Sequence, residues 1–380
     1  MLKKLMLFSA AFTVLCGQLV VGVAAQGLTV SAKSAILINA VTNEVIYEKN
    51  AHQQMGMAST TKIMTSILAI EYGKLNKNVT VRADDVRVEG TSIGLKAGDT
   101  ISLEALVYGM LLESGNDAAN VTATAVGGSM AAFVELMNKK ARELGMNNTC
   151  FKNPSGLTQA GHYSTAYDMA LLGSYAVKNT QFSSICSQKT VNVTYGNPQC
   201  QRTFSNHNKL LGTYDGAFGI KTGFTKASGR CLVSAAERDG VTLVAVTLSA
   251  PNDWADHKAL FDYGFERVKE YKADFNAEKI SIDVVGSNKK AINVRLSAPL
   301  TYTALKEQAG TSVVVFCENF LYAGIKKGDV VGKAVLYSQN GTRLCESQLL
   351  SQTDAPIAKA RVKNKSFFEK IKDFFSINNR

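Results

Sequence analysis

A serine and a lysine stand three residues apart in Ser59-Thr60-Thr61-Lys62, at the head of an apolar segment. Residues three apart share one face of a helix, so a helix beginning here would direct both side chains into the same space. A serine hydroxyl needs a base, and a lysine amine can serve only when burial or a neighbouring cation lowers its pKa. The pair therefore predicts a nucleophile, Ser59, with its own base, Lys62. The alternative is a helix N-terminus followed by a surface lysine, since this spacing also arises by chance.

Two further short motifs occur along the chain. Ser114-Gly115-Asn116 follows an apolar run, and Lys221-Thr222-Gly223 closes a strand-like run. With the serine and lysine above, and in this order, they correspond to the motif set of penicillin-binding proteins and class A β-lactamases. The flanking residues make the chain resemble the low-molecular-mass serine D-alanyl-D-alanine carboxypeptidases. The segments that carry this resemblance are 58–65, 112–119, 162–168 and 219–225.

The resemblance implies a catalytic role for four residues. Ser59 would attack the carbonyl between the two terminal D-alanines of a peptidoglycan stem peptide and form an acyl-enzyme, after Lys62 takes its proton. Ser114 would pass a proton to the leaving D-alanine, and Asn116 would hold Lys62 and the substrate amide. β-Lactam antibiotics would acylate the same serine.

The same resemblance assigns the substrate contacts. Lys221 and Thr222 would bind the terminal carboxylate, and Gly223, which has no Cβ, would let the peptide backbone approach. The N–H groups of the nucleophile and of Phe224 would form the oxyanion hole. Many relatives carry an arginine where this chain has residues 252–257, and that departure leaves the carboxylate pocket incompletely assigned.

Other chemistries have less support. A β-lactamase would share the fold and the acylation step, but no matching glutamate motif occurs in 153–168. A catalytically idle wall-binding protein is the other alternative, and the complete motif set argues against it. The four histidines include no H-E-x-x-H pair, so no metal or cofactor is expected. His162 and His207 are expected to be structural or to lie at the margin of the site.

Residues 1–25 have the pattern of a secretory signal peptide: a short basic start, an apolar stretch and small residues before Gln26. The chain is therefore expected to be exported and to act outside the cytoplasm. An uncleaved membrane anchor is the alternative, because the apolar stretch approaches spanning length. The formal net charge of +11 predicts attraction to anionic lipids and wall polymers. Nucleic acid is not expected as a partner, because no recognition motif or basic block accompanies the charge.

Six cysteines follow residue 25, and an exported chain can oxidise them. Cys317 and Cys345 lie in one small domain and are a plausible disulfide pair. Alternatively, several of the six are small buried hydrophobes with free thiols.

The elements that must position the motifs indicate an α+β fold. A hairpin around Thr42-Asn43, strands at 216–222, 231–236 and 241–249, and helices between them predict a helical cluster on an antiparallel sheet assembled from distant segments. The resemblance implies a β-lactamase/transpeptidase-like domain with five strands. The predicted helices are 60–75, 103–113, 118–126, 131–144 and 255–269.

The chain divides into four predicted parts. The signal peptide, 1–25, precedes a carboxypeptidase domain, 26–272, and a linker near 270–278 leads to a small all-β domain, 277–356. In the last part, 360–380, four phenylalanines and an isoleucine recur at helical spacing between 367 and 375 among lysines. This pattern predicts an amphipathic helix that attaches the chain to the outer face of the cytoplasmic membrane. Alternatively, the aromatic stripe packs on its own domain.

Overall fold

The computed structural model describes residues 28–307 and 310–359. The predicted signal peptide, 1–25, and the predicted amphipathic helix, 360–380, lie outside the described residues. Within the described ranges, no helix combines the length and the apolar character that crossing a membrane requires.

The first part of the chain, up to residue 268, contains eight helices and nine strands among the described residues. The helices are α1 (Lys62–Glu71), α2 (Leu103–Leu111), α3 (Asn116–Gly127), α4 (Met130–Glu143), α5 (Ala166–Val177), α6 (Thr180–Cys186), α7 (Leu210–Thr213) and α8 (Asp253–Arg267). The strands are β1 (Ser34–Asn39), β2 (Val45–Lys49), β3 (Asn78–Thr80), β4 (Thr100–Ser102), β5 (Thr190–Gly196), β6 (Gln199–Ser205), β7 (Ala217–Thr225), β8 (Gly229–Arg238) and β9 (Val241–Leu248).

A five-stranded antiparallel sheet in the order β2-β1-β9-β8-β7 organises this part. Its central strands are covered on both faces, so β1 reads as a continuous buried run without polar alternation. The predicted hairpin is β1 and β2, and β9 joins β1 with Ile36 opposite Val246. The sheet is therefore assembled from the two ends of the domain, which brings β7 close to the helices encoded far upstream.

Helices cover the two faces of the sheet unequally. The larger core lies between the sheet and the cluster of α1 to α6, and the smaller core lies under α8. Eight of the ten residues of α1 are buried, because this helix runs through the middle of the cluster. It ends at Glu71, four residues before the predicted end, and Gly73 follows at φ 75°, a conformation that terminates helices.

The remaining described residues form an all-β part with its own hydrophobic core. Its strands are β10 (Lys269–Lys272), β11 (Ser281–Val285), β12 (Ala291–Leu296), β13 (Thr301–Ala304), β14 (Ser312–Cys317), β15 (Phe320–Tyr322), β16 (Val330–Tyr337) and β17 (Arg343–Ser351). Six of them form a sheet in the order β14-β16-β17-β12-β11-β15. The predicted linker is partly a strand, because β10 pairs with β13. The side-chain amide of Asn39 also donates to the Thr303 carbonyl at 2.9 Å, which joins the two parts.

Cys317 and Cys345, which the sequence left open as a disulfide pair, are not bonded to each other. Both strands pair with β16, but Cys317 lies opposite Gly332 and Cys345 lies opposite Leu336. Four residues of strand separate these positions by about 13 Å, and a disulfide needs Cα atoms within roughly 7 Å. Each of the six cysteines in the described ranges is a free thiol.

Candidate active site

Ser59 lies in a 3-10 turn, Ala58–Thr61, that leads directly into α1. Two threonine hydroxyls close the turn, since Thr60 donates to the Met57 carbonyl at 2.6 Å and Thr61 to the Ala58 carbonyl at 2.9 Å. Ala58 has a φ of 47°, which is uncommon for a residue with a Cβ. The turn presents Ser59 to a cleft while its neighbours on both sides are buried.

Lys62, at the first position of α1, is fully buried and has three hydrogen-bond partners. Its Nζ lies 3.0 Å from Ser59 Oγ, 2.7 Å from Asn116 Oδ1 and 2.6 Å from the Ser155 carbonyl. Burial holds the pKa of Lys62 well below its usual range, and the nearby positive charge of Lys221 lowers it further, while Asp117 opposes both effects. Burial and the charge of Lys221 therefore both favour the neutral amine, the form that can act as a base.

The partners of Lys62 determine where its lone pair points. Asn116 Nδ2 donates to the Glu89 carbonyl at 2.6 Å, so Asn116 Oδ1 is the atom that faces Lys62. This oxygen and the Ser155 carbonyl can only accept, so a neutral amine directs its two N–H groups at them. The lone pair then faces Ser59 Oγ, whose proton it can take.

Ser114 lies in the turn between α2 and α3, and Asn116 is the first residue of α3. Ser114 has a φ of 66° and lines the cleft, and the Asn116 N–H donates to the Thr91 carbonyl at 2.8 Å. Asp117 fixes the neighbouring loop, because its carboxylate accepts from the N–H groups of Ile93 and Leu95, each at 3.0 Å. The turn and the first residue of α3 therefore hold the predicted proton donor and the partner of Lys62 beside the nucleophile.

The Ser155 carbonyl was not identified from the sequence. It belongs to the turn Asn153-Pro154-Ser155-Gly156, in which Asn153 Oδ1 accepts from the Gly156 N–H at 2.8 Å. Gly156 has a φ of 86°, and a Cβ there would lie 1.9 Å from the Ala58 carbonyl oxygen. Thr65 secures the turn to α1 by donating to the Pro154 carbonyl at 2.6 Å. The Asn-Pro-Ser-Gly sequence is a turn signal, but nothing in it shows that a backbone oxygen serves Lys62.

Strand β7 passes beside the nucleophile and supplies the third motif. An added Cβ on Gly223 would lie 3.0 Å from the Ser59 backbone nitrogen and 3.1 Å from that of Thr60. The missing side chain thus lets the strand approach the turn that holds Ser59. Thr222, Gly223 and Phe224 line the cleft, and the Phe224 side chain is 64% exposed.

The Lys221 side chain is buried and is not among the residues that line the cleft. Its Nζ donates to the Thr222 carbonyl at 3.0 Å, and burial lowers the pKa of Lys221 to about 7 although Glu113 raises it. Close to neutral pH this residue carries part of a positive charge that acts on the cleft and on Lys62. The structure therefore brings all eight predicted site residues together, with Lys221 lying deeper than the others.

The cleft has a volume of about 740 Å³ and contains an arginine that the sequence did not reveal. Arg230 lies opposite Phe224 on the adjacent strand β8, on the face to which Thr222 also belongs. Its Nε and Nη2 donate to Oδ1 of the buried Asp253 at 3.0 and 2.8 Å, and its guanidinium lies 5.7 Å from the Trp254 ring centroid. The acid and the ring fix a cation at the end of the cleft.

The two histidines near the site have different surroundings. His162 is buried, its Nε2 lies 2.9 Å from Thr61 Oγ1, and its Nδ1 accepts from the Lys152 N–H at 3.0 Å. Burial lowers the pKa of His162 to about 4. His207 lines the cleft and lies 3.6 Å from Glu113. No group of metal-ligating side chains occurs among residues 28–307 and 310–359.

Sequence comparison identifies relatives that are named D-alanyl-D-alanine carboxypeptidases. A model of the D-alanyl-D-alanine carboxypeptidase family matches residues 21–252. The chain is 33% identical over 338 residues to the D-alanyl-D-alanine carboxypeptidase DacF of Bacillus subtilis, covering 85% of each chain. It is 31% identical over 366 residues to DacC of Escherichia coli, covering 91% of this chain and 88% of the relative.

Solved structures agree with these sequence matches. A Streptomyces DD-transpeptidase superposes with a TM-score of 0.60 at 30% identity, over 63% of this chain and 98% of that chain. The D-alanyl-D-alanine carboxypeptidase DacD of Francisella tularensis superposes with a TM-score of 0.59 at 26% identity, over 87% of this chain and 95% of that chain. The predicted fold class is confirmed, and so is the resemblance inferred from the motifs. The chain therefore belongs to the D-alanyl-D-alanine carboxypeptidase family of serine peptidases.

Proposed function

We propose that this protein removes the terminal D-alanine from peptidoglycan stem peptides that end in D-Ala-D-Ala, through an acyl-enzyme at Ser59. The observation that carries the proposal is the surroundings of Lys62, a buried amine 3.0 Å from Ser59 Oγ whose other two partners only accept hydrogen bonds. β-Lactam antibiotics would acylate the same hydroxyl, because they present a reactive amide carbonyl to the same cleft.

The acylation step follows from this arrangement. Lys62 takes the proton of Ser59 as Oγ attacks the carbonyl carbon of the penultimate D-alanine. The backbone N–H groups of Ser59 and Phe224 would stabilise the negative charge that develops on the carbonyl oxygen. Ser114 gives its proton to the nitrogen of the departing D-alanine and receives the one that Lys62 took, so the peptide bond breaks and Lys62 is neutral again. Water then attacks the ester while Lys62 takes a proton from it, and this proton passes to Ser59 Oγ as the shortened stem peptide leaves.

Binding of the terminal carboxylate requires positive charge and hydroxyl groups at one end of the cleft. Thr222 and Arg230 are diagonal neighbours on one face of adjacent strands, a separation that a long side chain spans. We assign carboxylate binding to Thr222, to the charge of Lys221 beneath it and to Arg230. Arg230 would fill the role that the sequence left unassigned at residues 252–257.

Slow release of the penicilloyl group distinguishes this activity from that of a β-lactamase. Rapid hydrolysis needs a carboxylate positioned to activate water. The segment 153–168 contains no glutamate, and its one acid, Asp168, accepts from the Asn148 N–H at 2.8 Å and from Thr149 Oγ1 at 2.7 Å. These contacts tie Asp168 to the fold, which favours a carboxypeptidase whose acyl-enzyme with penicillin is long-lived.

We propose that the protein is exported and works at the outer face of the cytoplasmic membrane, with residues 360–380 as an amphipathic anchor and 26–272 and 277–356 as catalytic and β domains. The basic charge and the aromatic spacing of the tail support this location.

The test of the activity uses the mature chain and two variants. Ser59→Ala and Lys62→Ala should each abolish acylation by a fluorescent penicillin and D-alanine release from a pentapeptide, because nucleophile and base act as a unit. Release of D-alanine at the native rate by either variant would refute the mechanism. Native-like thermal unfolding of Ser59→Ala would establish that loss of activity is not loss of fold.

A further inference from the structure

Exposed apolar side chains occur at both edges of the six-stranded sheet: Val314, Phe316 and Val330 lie on β14 and β16, and the two most exposed, Tyr322 and Ile357, lie at the β11 and β15 edge. Tyr322 is 74% exposed and Ile357 is 73% exposed, and Val285 and Phe320 are 50% and 45% exposed. Large apolar side chains scattered singly over a surface need no explanation, whereas a contiguous group marks an interaction site. We refer to Val285, Phe320, Tyr322 and Ile357 as the apolar patch.

Backbone pairing holds the members of the apolar patch side by side. Val285 lies opposite Tyr322 in the parallel pair of β11 and β15, and the Phe320 and Tyr322 rings are 5.5 Å apart. Ile357 forms an isolated bridge with Ser287, two residues beyond Val285. Three members of the patch therefore lie on paired strands, and an isolated bridge holds Ile357 beside them.

The charges around the apolar patch are mainly positive, although the exposed Asp283 lies opposite Phe320 in the pair of β11 and β15. Three segments form this end of the domain: 284–290, 320–325 and 355–359. Their sequences contain Lys289, Lys290 and Lys359, all exposed, and no aspartate or glutamate. Lys359 follows Ala358, whose N–H donates to the Gly286 carbonyl at 2.8 Å, so this lysine emerges beside the 286–290 turn.

We propose that the apolar patch is a second membrane contact, which inserts into the head-group region of a bilayer that contains anionic lipid. Aromatic rings and lysines are the side chains that favour this region, the rings for its mixed polarity and the lysines for its negative charge. The chain leaves the patch at Lys359 and continues into the segment proposed as the anchor, so both surfaces meet the same bilayer. The inference rests on the proposed location of the protein and not on its proposed chemistry.

Two other occupants fit the charges less well. The tail that follows carries Arg361, Lys363 and Lys365 before its aromatic stripe, so folding back would bring these cations against Lys289 and Lys290. A second copy of the protein docked patch to patch would likewise bring three lysines of each copy together, and Asp283 of each copy offsets only one of them. An anionic bilayer instead attracts both the patch and the tail.

The first experiment measures partition of the mature chain onto phosphatidylglycerol/phosphatidylcholine vesicles by flotation. Tyr322→Ser combined with Ile357→Ser should weaken partition by about tenfold or more, because two partly inserted apolar side chains are lost. Leu136→Ser is the control: Leu136 is 38% exposed on α4, away from the patch, and its variant should partition like the native chain. Undiminished partition of the patch variant would overturn the proposal. Penicillin acylation at the native rate shows that the variant is folded.

The second experiment measures how deeply the apolar patch inserts into the bilayer. The native chain has one tryptophan, in the catalytic cleft, so Tyr322→Trp adds a single reporter at the patch. On vesicles of brominated lipid, the emission of this variant should be quenched and shifted to shorter wavelength relative to the native chain. A bound variant with unquenched emission would overturn the proposal, since the tail alone would then attach the protein.

The emission of Tyr322→Trp also shows whether the tail, 360–380, or a second copy of the protein covers the apolar patch. If emission without vesicles is already shielded and changes on deletion of residues 360–380, the tail covers the patch and the proposal fails. A dependence of emission on protein concentration would mean instead that a second copy covers it. If penicillin fails to label any of these proteins while the vesicle results hold, the proposed activity fails and the membrane contact stands.

Discussion

Replacement of Gly223 by alanine tests whether close approach of β7 to the nucleophile is required. The new Cβ would lie 3.0 Å from the Ser59 nitrogen, 3.1 Å from the Thr60 nitrogen and 3.2 Å from the Ala58 Cβ. Ordinary contacts of such atoms are roughly 3.5–4.0 Å, so either the strand or the turn must move by a few tenths of an ångström. Both are held by backbone hydrogen bonds within a packed core, and neither can move as freely as the end of a side chain.

The expected effect on acylation is large for one methyl group. A displacement of about 1 Å costs roughly 100-fold, and loss of one oxyanion donor costs roughly 100- to 1000-fold. A shift of a few tenths of an ångström that also turns the Ser59 N–H should slow acylation about 10- to 100-fold. Overpacking should lower the free energy of unfolding by about 1–3 kcal/mol.

The assay is the second-order rate of acylation by a fluorescent penicillin, with thermal unfolding measured on the same samples. Gly212→Ala is the matched control, because a Cβ on Gly212 in α7 would meet nothing within 4 Å. The control should acylate at the native rate and be equally or slightly more stable. Acylation by Gly223→Ala at the native rate would refute the requirement for close approach.

Three further predictions concern charge and location. Lys221→Met removes a cation that lowers the pKa of Lys62, so that pKa should rise. The ascending limb of the pH profile for acylation should then move to higher pH. An unmoved limb would mean that the charge of Lys221 does not influence Lys62. Arg230→Gln should lower kcat/KM for a pentapeptide by roughly 10- to 100-fold through the lost carboxylate contact, whereas Arg238→Gln, at the far end of β8, should not. Deletion of 360–380 should release most of the protein from anionic vesicles and leave the turnover of a soluble pentapeptide unchanged, and loss of turnover would mean that this segment packs on the enzyme.

The site residues that act through their side chains could be predicted from the sequence. Ser59, Lys62 and Asn116 belong to motifs whose residue types are set by proton transfer. In the structure Ser59 and Asn116 both lie within hydrogen-bond distance of Lys62. The Ser155 carbonyl was missed, because any residue supplies a backbone oxygen. Arg230 was missed because its place depends on strand pairing and on Asp253, which lies 23 residues away.

The fold was likewise predicted in part from the sequence. The predicted strands 216–222, 231–236 and 241–249 correspond to β7, β8 and β9, since buried central strands are apolar runs bounded by turn residues. Helix α5 was missed: eight of its twelve residues are buried, so it lacks the polar face that reveals an amphipathic helix. The hairpin of β5 and β6 was missed for the opposite reason, because half of its strand residues are polar and exposed.

The burial of Lys62 decides between the two interpretations of the first motif. A surface lysine after a helix N-terminus would keep its charge in water, whereas Lys62 is 0% exposed and Lys221 is 1% exposed. Burying two amines is unfavourable for folding, because each must lose its hydration or its proton. A fold retains such a pair where their lowered pKa values serve a purpose, and here one amine faces a serine hydroxyl while the charge of the other lowers its pKa. The same low-dielectric surroundings that disfavour the charged amine favour the neutral form that can act as a base, so the energetic cost and the catalytic property have one physical origin.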